Sequence, residues 1–376
     1  ITCTIHNIYT LRGALVRDAL EWSKQINVAL YKFGQDADVM FASHSWPRWG
    51  NERIQEVMRT QRDTYAHLNN QVLHLANEGV TVNQVNNIYN LPDSLRNQWA
   101  AHSYHGSEEH NSRAVINRYL GYWDANPATL MPLSPEDSAP LYVEMMGGAD
   151  KIMEKGKNLY DEGKYFYATE ILNKLNYAEP ENQAAKDLLA DVYEQIGYQK
   201  ESPSVRNSFL AAAFELRHGK PSGASPESGP DLIRGMTTGM WLDFLGVRLD
   251  VSKTEDKHFT INFITPDNNE KYLIELSNST LTNIEGVQSP KADLTITINR
   301  SDLNDVMMGK VSFDDKIEEG KATLKGDRKP YEELEHMLTT FTLEFELLPG
   351  TLPDAVSIPS NNNPFKQAIP ADSSGG

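Results

Sequence analysis

The sequence predicts a multidomain chain with an α/β segment, then an all-α part, then a small α+β domain. Apolar residues read as strand, helix and strand over positions 1–60, and they recur with helical spacing from 51 to 218. Beyond a Gly-, Pro- and Ser-rich stretch at 219–230 they alternate with polar residues, as in a one-sided sheet. A length of 376 residues accommodates two to three domains.

The charge of the chain limits what it can bind. There are 35 Lys and Arg residues against 52 Asp and Glu, a formal net charge of −17. Such a field repels phosphate, which excludes a general binder of nucleic acid or anionic membrane. The single cysteine, Cys3, excludes an internal disulfide framework and a multi-thiolate metal site. No apolar run reaches the roughly 18 residues of a membrane-spanning helix, so we expect none.

Residues 1–60 are predicted to be the end of an α/β unit. Residues 1–5 read as the middle of a buried strand, so we expect a preceding part of the same domain to be missing. A helical stretch opens at Thr10, and 38–43 is a second short strand. The helical stretch has apolar residues at spacings of three and four: Leu15, Ala19, Trp22, Ile26 and Leu30.

A repeat of roughly 34 residues is visible in the second half of the helical part, at 149–218. Small residues such as Gly156, Ala168 and Gly197 stand where paired helices would cross, which is typical of tetratricopeptide-like hairpins. We interpret the repeat as an all-helical packing or dimerisation module, with a peptide-binding groove as the alternative.

The C-terminal region is predicted to be an α+β domain at 231–350. Strands are expected at 259–264, 272–276 and 294–298, with helices at 302–308 and 331–342. The last residues, 351–376, are rich in Pro, Asn, Ser and Gly, and we predict a disordered tail there.

Polar residues with possible chemistry are densest near the start of the chain. His6 and Arg12 lie close together, and His44 follows a predicted strand, a usual place for functional residues in α/β layers. Histidine transfers protons near neutral pH, and the planar fork of arginine suits a tetrahedral oxyanion. The segment 1–60 holds seven basic and six acidic side chains, which permits a local anion site. A structural histidine in a strand-end turn is the alternative for His44.

A second cluster contains three histidines, His102, His105 and His110, beside Tyr104 and Asn111. Their spacings of three and five do not give a helical pair of metal ligands, and no cysteine accompanies them. We therefore predict a polar loop that lines a cleft and forms hydrogen bonds to a substrate, rather than a metal site.

Four segments resemble the alkyl sulfatases of the metallo-β-lactamase superfamily, bacterial enzymes that hydrolyse dodecyl sulfate and related esters. The segments are 6–14, 41–51, 104–111 and 118–127. The resemblance spans about residues 1–350, in order. It implies the C-terminal remnant of a metallo-β-lactamase-like catalytic domain at 1–60, a helical dimerisation domain at 61–220, and a sterol-carrier-protein-like domain at 231–350 that helps to gather the alkyl chain.

The resemblance also implies roles for single residues. His44 matches a zinc-ligating histidine, His6 a histidine proposed as general acid, and Arg12 a sulfate-contacting arginine. The further candidates for substrate binding are Asn7, Tyr9, Tyr104, His105, His110 and Asn111. In the family, a hydroxide held by two zinc ions attacks the sulfate ester.

The remaining zinc ligands of the family, a His-x-His-x-Asp-His run and two glutamates, have no counterpart in this sequence. Because catalytic zinc needs about three protein ligands, we expect this chain by itself to be inactive. The resemblance implies that the complete parent enzyme is a periplasmic or secreted homodimer. The alternative is a non-catalytic dimeric protein that binds amphiphiles or lipids, although the retention of His6, Arg12 and His44 favours an enzyme.

Overall fold

The computed structural model describes residues 4–11, 13–44, 46–220, 230–341 and 345–352. These fall into two compact units. The first extends to residue 220 and includes 346–352, and the second contains 230–341 and 345. Within the described part of the chain, no helix combines the length and apolar character needed to cross a bilayer.

The first unit opens with a helix, a short hairpin and a long helix. In order these are α1 (Ala19–Ala29), a π-helical turn (Leu30–Gly34), the antiparallel strands β1 (Val39–Met40) and β2 (Arg48–Trp49), and α2 (Asn51–Asn77). Buried apolar side chains from residues 8 to 116 form one core around these elements. The predicted division at 60/61 falls inside α2, and that division stays a prediction.

The strand predicted at 1–5 is wrong for Thr4 and Ile5, while Cys3 and the two residues before it lie outside the described residues. The carbonyl of Thr4 accepts from the Gln61 side chain at 3.2 Å and that of Ile5 from the Gly106 N–H at 2.6 Å, so this backbone is bound by a helix side chain and a loop instead of by a neighbouring strand. The second predicted strand is also shorter than expected, because only β1 forms within 38–43.

The helix predicted from Thr10 begins only at Ala19. Gly13 has φ of +83°, outside helical geometry, and the Asp18 carboxylate accepts the Glu21 N–H as an N-cap. The residues between them form an irregular loop, in which Leu15 is exposed.

Short helices connect α2 to the repeat region. They are α3 (Val85–Ile88), α4 (Asp93–Arg96), a 3₁₀ turn (Trp99–Ala101), α5 (Glu108–Leu120) and a second 3₁₀ turn (Pro127–Thr129). The helices that follow are α6 (Pro135–Met145), α7 (Ala149–Asp161), α8 (Tyr165–Ala178), α9 (Gln183–Gln199) and α10 (Pro203–His218).

The helical repeat is confirmed. Helix α7 starts at Ala149 and α9 at Gln183, which matches the predicted period, and consecutive helices pack as antiparallel pairs. A Cβ atom on Gly156 would lie 2.8 Å from the Leu172 side chain, and one on Gly197 would lie 2.9 Å from Leu210. Glycine therefore permits the close approach of α7 to α8 and of α9 to α10.

The chain returns to the first unit after the second one. The buried carboxylate of Glu215 accepts from the N–H groups of Leu347 and Leu348 and from the Thr351 hydroxyl, at 3.1, 3.3 and 2.8 Å. The Lys220 N–H donates to the Thr351 carbonyl at 3.2 Å. The end of the predicted C-terminal domain, up to residue 350, therefore packs with the first unit. Thr351 is buried, and the rest of the predicted tail, from 353, lies outside the described residues.

The second unit is a five-stranded sheet with helices, which confirms the α+β prediction. The strand order is β5-β4-β3-β6-β7, in which β3 and β6 are parallel and the other pairs are antiparallel. The strands are β3 (Phe259–Thr265), β4 (Glu270–Ser277), β5 (Thr280–Glu285), β6 (Leu294–Ile298) and β7 (Ala322–Gly326).

The helices of the second unit are α11 (Pro230–Gly235), α12 (Thr238–Val247), a 3₁₀ turn (Val251–Lys253), α13 (Arg300–Met307), α14 (Phe313–Glu318) and α15 (Lys329–Met337). Alternate strand residues such as Ile261, Phe263 and Ile274 face a core shared with α12 and α15. The helix predicted at 331–342 thus starts slightly early, at Lys329, and ends at Met337.

We predict that Leu172→Ala destabilises the first unit by about 2–5 kcal/mol, because this fully buried side chain fills the space between α7 and α8. Urea unfolding followed by far-UV circular dichroism measures the change. Tyr167→Ala on the exposed side of the same helix is the control, and equal effects of both substitutions would contradict the packing described.

Candidate functional site

Three histidines from distant parts of the sequence meet in the first unit. The ring centre of His105 is 4.4 Å from that of His6 and 4.0 Å from that of His44, on which it stacks. One nitrogen from each ring lies within 4.8 Å of the other two. His105 is thus grouped with two histidines of the N-terminal region, and not with His102 or His110 of its own loop.

The close approach of two loops brings His6 and His105 together. The Gly106 N–H donates to the Ile5 carbonyl at 2.6 Å. A Cβ atom on Gly106 would lie 2.6 Å from the His6 carbonyl carbon, so no larger residue fits without displacing the backbone.

Two buried asparagines, one in the first loop and one in α5 just after the second, hold the two loops together. Asn111, 0% exposed, donates to the His6 carbonyl at 3.0 Å and accepts the Ile8 N–H at 2.9 Å. Asn7, 4% exposed, accepts the Ser107 N–H at 2.9 Å and donates to the Ser204 hydroxyl at 3.0 Å. Both side-chain amides form hydrogen bonds within the protein and so position the loops. A direct contact of either asparagine with substrate stays a prediction.

The environment favours neutral imidazoles. Burial, with the nearby charges of His6 and His44, lowers the pKa of His105 to about 4. Burial also lowers the pKa of His6, although its hydrogen bond to the Asn7 carbonyl opposes this. That bond joins Nδ1 of His6 to the carbonyl oxygen at 2.9 Å. If Nδ1 donates there, Nε2 of the neutral ring keeps its lone pair for a metal or a proton.

A cavity of about 480 Å³ opens beside His6. Its lining residues are His6, Arg17, Trp22, Gln25, Ile26, Ala29, Ser43 and Tyr65. The Arg17 guanidinium donates to the Asn7 carbonyl at 3.0 Å and lies 5.6 Å from the centre of the Trp22 ring. The lining of the cavity therefore combines a cationic guanidinium with apolar side chains.

Arg17 is the site residue that sequence reasoning missed. The candidate was Arg12, which lies outside the described residues. Arg17 reaches the site because its N–H donates to the Ile8 carbonyl at 2.8 Å, which folds the loop after Tyr9 back on itself. No periodic pattern in the sequence encodes that closure.

The other predicted residues do not line this cavity. His110 makes a 2.7 Å contact through Nε2 with the carbonyl of Tyr9, and the centres of the two rings are 5.7 Å apart. His110 lines a different cavity, of about 840 Å³. Tyr104 lies at the surface near Trp99. Substrate contacts by these residues stay predictions.

Comparison with known proteins identifies the chain's relatives. Residues 81–219 match the family described as alkyl sulfatase dimerisation, and residues 226–350 match the alkyl sulfatase C-terminal family. The chain belongs to the alkyl sulfatase family.

Two similar alkyl sulfatases come from Pseudomonas sp. and yeast. The chain is 41% identical to a linear primary-alkylsulfatase of Pseudomonas sp., over 92% of this chain and 52% of that protein. It is 37% identical to an alkyl/aryl-sulfatase of Saccharomyces cerevisiae, over 93% of this chain and 54% of that protein.

A solved structure shares the fold. It is a stereoselective inverting sec-alkylsulfatase from Pseudomonas sp., with a TM-score of 0.86 and 37% identity, and the match covers 92% of this chain and 55% of that one. The chain therefore spans about half the length of the alkyl sulfatases that it matches.

We predict that Asn111→Leu lowers the free energy of unfolding by about 2–4 kcal/mol, because it leaves the Ile8 N–H and the His6 carbonyl buried without this partner. Urea unfolding measures the loss. Asn87→Leu, at an exposed position, is the matched control. A stability equal to that of the unaltered chain would show that the two loops are held by other contacts.

Proposed function

We propose that this chain is part of an enzyme that hydrolyses alkyl sulfate esters to an alcohol and inorganic sulfate. The observation that carries the proposal is a cavity lined by His6, Arg17 and apolar side chains, in which His6 also belongs to a cluster with His44 and His105. Membership of the alkyl sulfatase family supports the reaction class. A volume of about 480 Å³ is within the range of small-molecule sites.

The mixed lining of the cavity, a guanidinium and apolar side chains, suits the two ends of such an ester. The guanidinium of Arg17 would orient the sulfate through charge-assisted hydrogen bonds. The apolar wall of Trp22, Ile26 and Ala29 would take the alkyl chain. His6, next to Arg17, would carry the proton that the reaction moves, at its Nε2 atom.

The histidine cluster suits zinc. Imidazole nitrogens are preferred zinc ligands, and His44 and His105 each place one within 4.8 Å of the other and of a His6 nitrogen. His44 and His105 would hold the metal, and His6 would lie beside it with its Nε2 atom left for the proton. Bound zinc supplies a Lewis acid and lowers the pKa of water.

We also propose that residues 1–60 are the end of a metallo-β-lactamase-like catalytic domain with a dinuclear zinc site. The support is the resemblance of the segments around His6 and His44 to that family. Among the described residues, the three histidines are the one group of metal-ligating side chains, so the second ion would need ligands from outside it.

For the second unit, we propose a sterol-carrier-protein-like role in gathering alkyl chains. The interior space under its sheet is about 20 Å³, enough for roughly one water molecule and too small for an alkyl chain. An exposed apolar stripe on α12, formed by Met240, Phe244 and Val247, offers a surface for an amphiphile instead. The same stripe favours the second candidate function, a non-catalytic amphiphile-binding protein.

A homodimer is the third part of the proposal. Its support is the match of residues 81–219, in the first unit, to the dimerisation family. This range contains the helices from α3 to α10, so the contact between two copies would be made by the helical part of the chain.

We predict that the metal-free chain binds zinc, and that His44→Ala and His105→Ala each weaken this binding about tenfold or more. Titration against a chromophoric chelator measures the affinity. His74→Ala is the control, since that exposed histidine lies on α2 beside Glu78. If all three variants bind zinc like the unaltered chain, the cluster is not a metal site.

We further predict that Arg17→Met weakens binding of hexyl sulfate about tenfold, because the variant loses the charge-assisted contact with the sulfate. Isothermal titration calorimetry measures the affinity, and the exposed Arg53→Met is the control. If the Arg17 variant binds hexyl sulfate as tightly as the unaltered chain, the proposed sulfate position in this cavity is wrong. That result would not contradict zinc binding by the histidines.

A further inference from the structure

Helix α12 of the second unit exposes apolar side chains along one face. Met240, Phe244 and Val247 follow one another at spacings of four and three residues and are 55%, 43% and 66% exposed. We call these three residues the α12 stripe. The other face of the helix, with Leu242 and Leu245, is buried in the core of the unit. The α12 stripe is therefore an apolar surface that the core does not use.

A guanidinium lies at the C-terminal end of the α12 stripe. Arg248 directly follows the last residue of α12, and its Cζ atom is 5.9 Å from the centre of the Phe244 ring. Its Nε–H donates to the Thr339 carbonyl at 2.8 Å, and the Thr339 N–H donates to the Arg248 carbonyl at 2.8 Å. These contacts fix the side chain through Nε. Within the part of the chain that the structure describes, the two terminal nitrogens of this guanidinium form no hydrogen bond.

No carboxylate among the described residues pairs with Arg248. The acidic residues on either side of it are bound elsewhere, since Asp243 accepts from the Asn283 amide at 2.6 Å and Asp250 lies 3.4 Å from Nζ of Lys253. Burial lowers the pKa of Arg248 to about 10, so the guanidinium is still charged at neutral pH. Its full positive charge exceeds the roughly half negative charge at the C-terminus of a helix.

A second arginine of the same unit shows what Arg248 lacks. Arg328 also lies over an aromatic ring, with its Cζ atom 5.7 Å from the centre of Tyr331, but it forms ion pairs with Asp314 and Glu332 at 3.4 and 3.2 Å. A half-buried guanidinium without such a partner has lost part of its hydration and gained no ion pair in return. An anion supplied from outside the unit would compensate for that loss.

We propose that Arg248 and the α12 stripe form a docking site for a single anionic amphiphile, with its sulfate head group on the guanidinium and its alkyl chain along the stripe. The planar fork of arginine matches two oxygens of such a head group. From Met240 to Val247 the helix rises about 10 Å, at roughly 1.5 Å per residue, which accommodates most of a decyl chain. The inference rests on the gathering role proposed above for the second unit and assigns its head-group contact.

The charge of the chain favours a single amphiphile over a membrane as the occupant. A sheet of anionic lipid would present many negative charges to a protein whose net charge is −17, and the two would repel each other. One alkyl sulfate molecule presents one negative charge, and it meets the cation at the end of the α12 stripe.

The test compares two decyl amphiphiles, each below its critical micelle concentration. Decyl sulfate is anionic and decyl maltoside is uncharged. Hydrogen–deuterium exchange of peptides from 238–251 locates binding at α12, apart from any binding in the first unit, and its dependence on amphiphile concentration gives the dissociation constant. The unaltered chain should bind decyl sulfate at α12 about tenfold or more tightly than decyl maltoside, because only the sulfate forms a charge-assisted contact.

Variants separate the head-group contact from the alkyl-chain contact. Arg248→Gln should weaken decyl sulfate binding about tenfold and leave decyl maltoside binding unchanged, whereas Arg248→Lys, which keeps the charge, should retain part of the preference for sulfate. Met240→Ser combined with Val247→Ser should weaken the binding of both amphiphiles about tenfold. Arg328→Gln, at the arginine that already has carboxylate partners, is the control and should change neither. Circular dichroism establishes that each variant is folded.

Three outcomes would contradict the proposal. Equal affinities of the unaltered chain for the two amphiphiles, or decyl sulfate binding that Arg248→Gln leaves unchanged, would overturn the head-group contact while leaving the gathering role of the α12 stripe intact. If neither amphiphile protects α12, both the contact and that role are wrong. Protection that appears with vesicles of anionic phospholipid, and not with decyl sulfate, would show that the occupant is a membrane surface.

Discussion

The site depends on side-chain hydrogen bonds that Asn7 of the N-terminal loop and Asn111 of α5 form with the backbone of each other's segment. Asn111 binds the backbone on both sides of Asn7, and Asn7 in return binds the backbone at Ser107. These partners are far apart in sequence, and both asparagine side chains are buried, where water cannot replace a lost bond. His6 and His105 take their positions from this exchange. The relation between them is therefore fixed by polar contacts at the loops and not by the ladder of a sheet.

The helices and strands whose residues follow a regular short-range pattern could be predicted from the sequence. The alternation around Ile261 and Phe263 encodes a strand in any context, because one face of the sheet must be buried. The small residues Gly156 and Gly197 likewise indicate a close helix crossing, whatever surrounds it. This is why the helical repeat and the α+β unit agree with the structure to within a few residues at most helix and strand ends.

The candidate site could be predicted only in part. His6 and His44 were identified through their motifs, but their grouping with His105 depends on a fold-back that no local pattern encodes. Arg17 was missed for the same reason, because its position depends on the closure of a loop. The spacing of Leu15 and Ala19 had predicted a helix over that loop. The strand expected at the start of the chain does not form at Thr4 and Ile5, whose carbonyls accept from the Gln61 side chain and the Gly106 N–H instead of from a neighbouring strand.

The return of the chain at 346–352 has a consequence for how the two units can vary. Lys220 and Thr351 touch, so the second unit departs from and rejoins the first at almost the same point. In topological terms it is an inserted module with adjacent ends, the arrangement in which a whole domain can be gained, lost or exchanged without rerouting its host. The hydrogen bonds to Glu215 hold the returning segment to the host. A change confined to the inserted module would thus leave the path of the host chain unaltered.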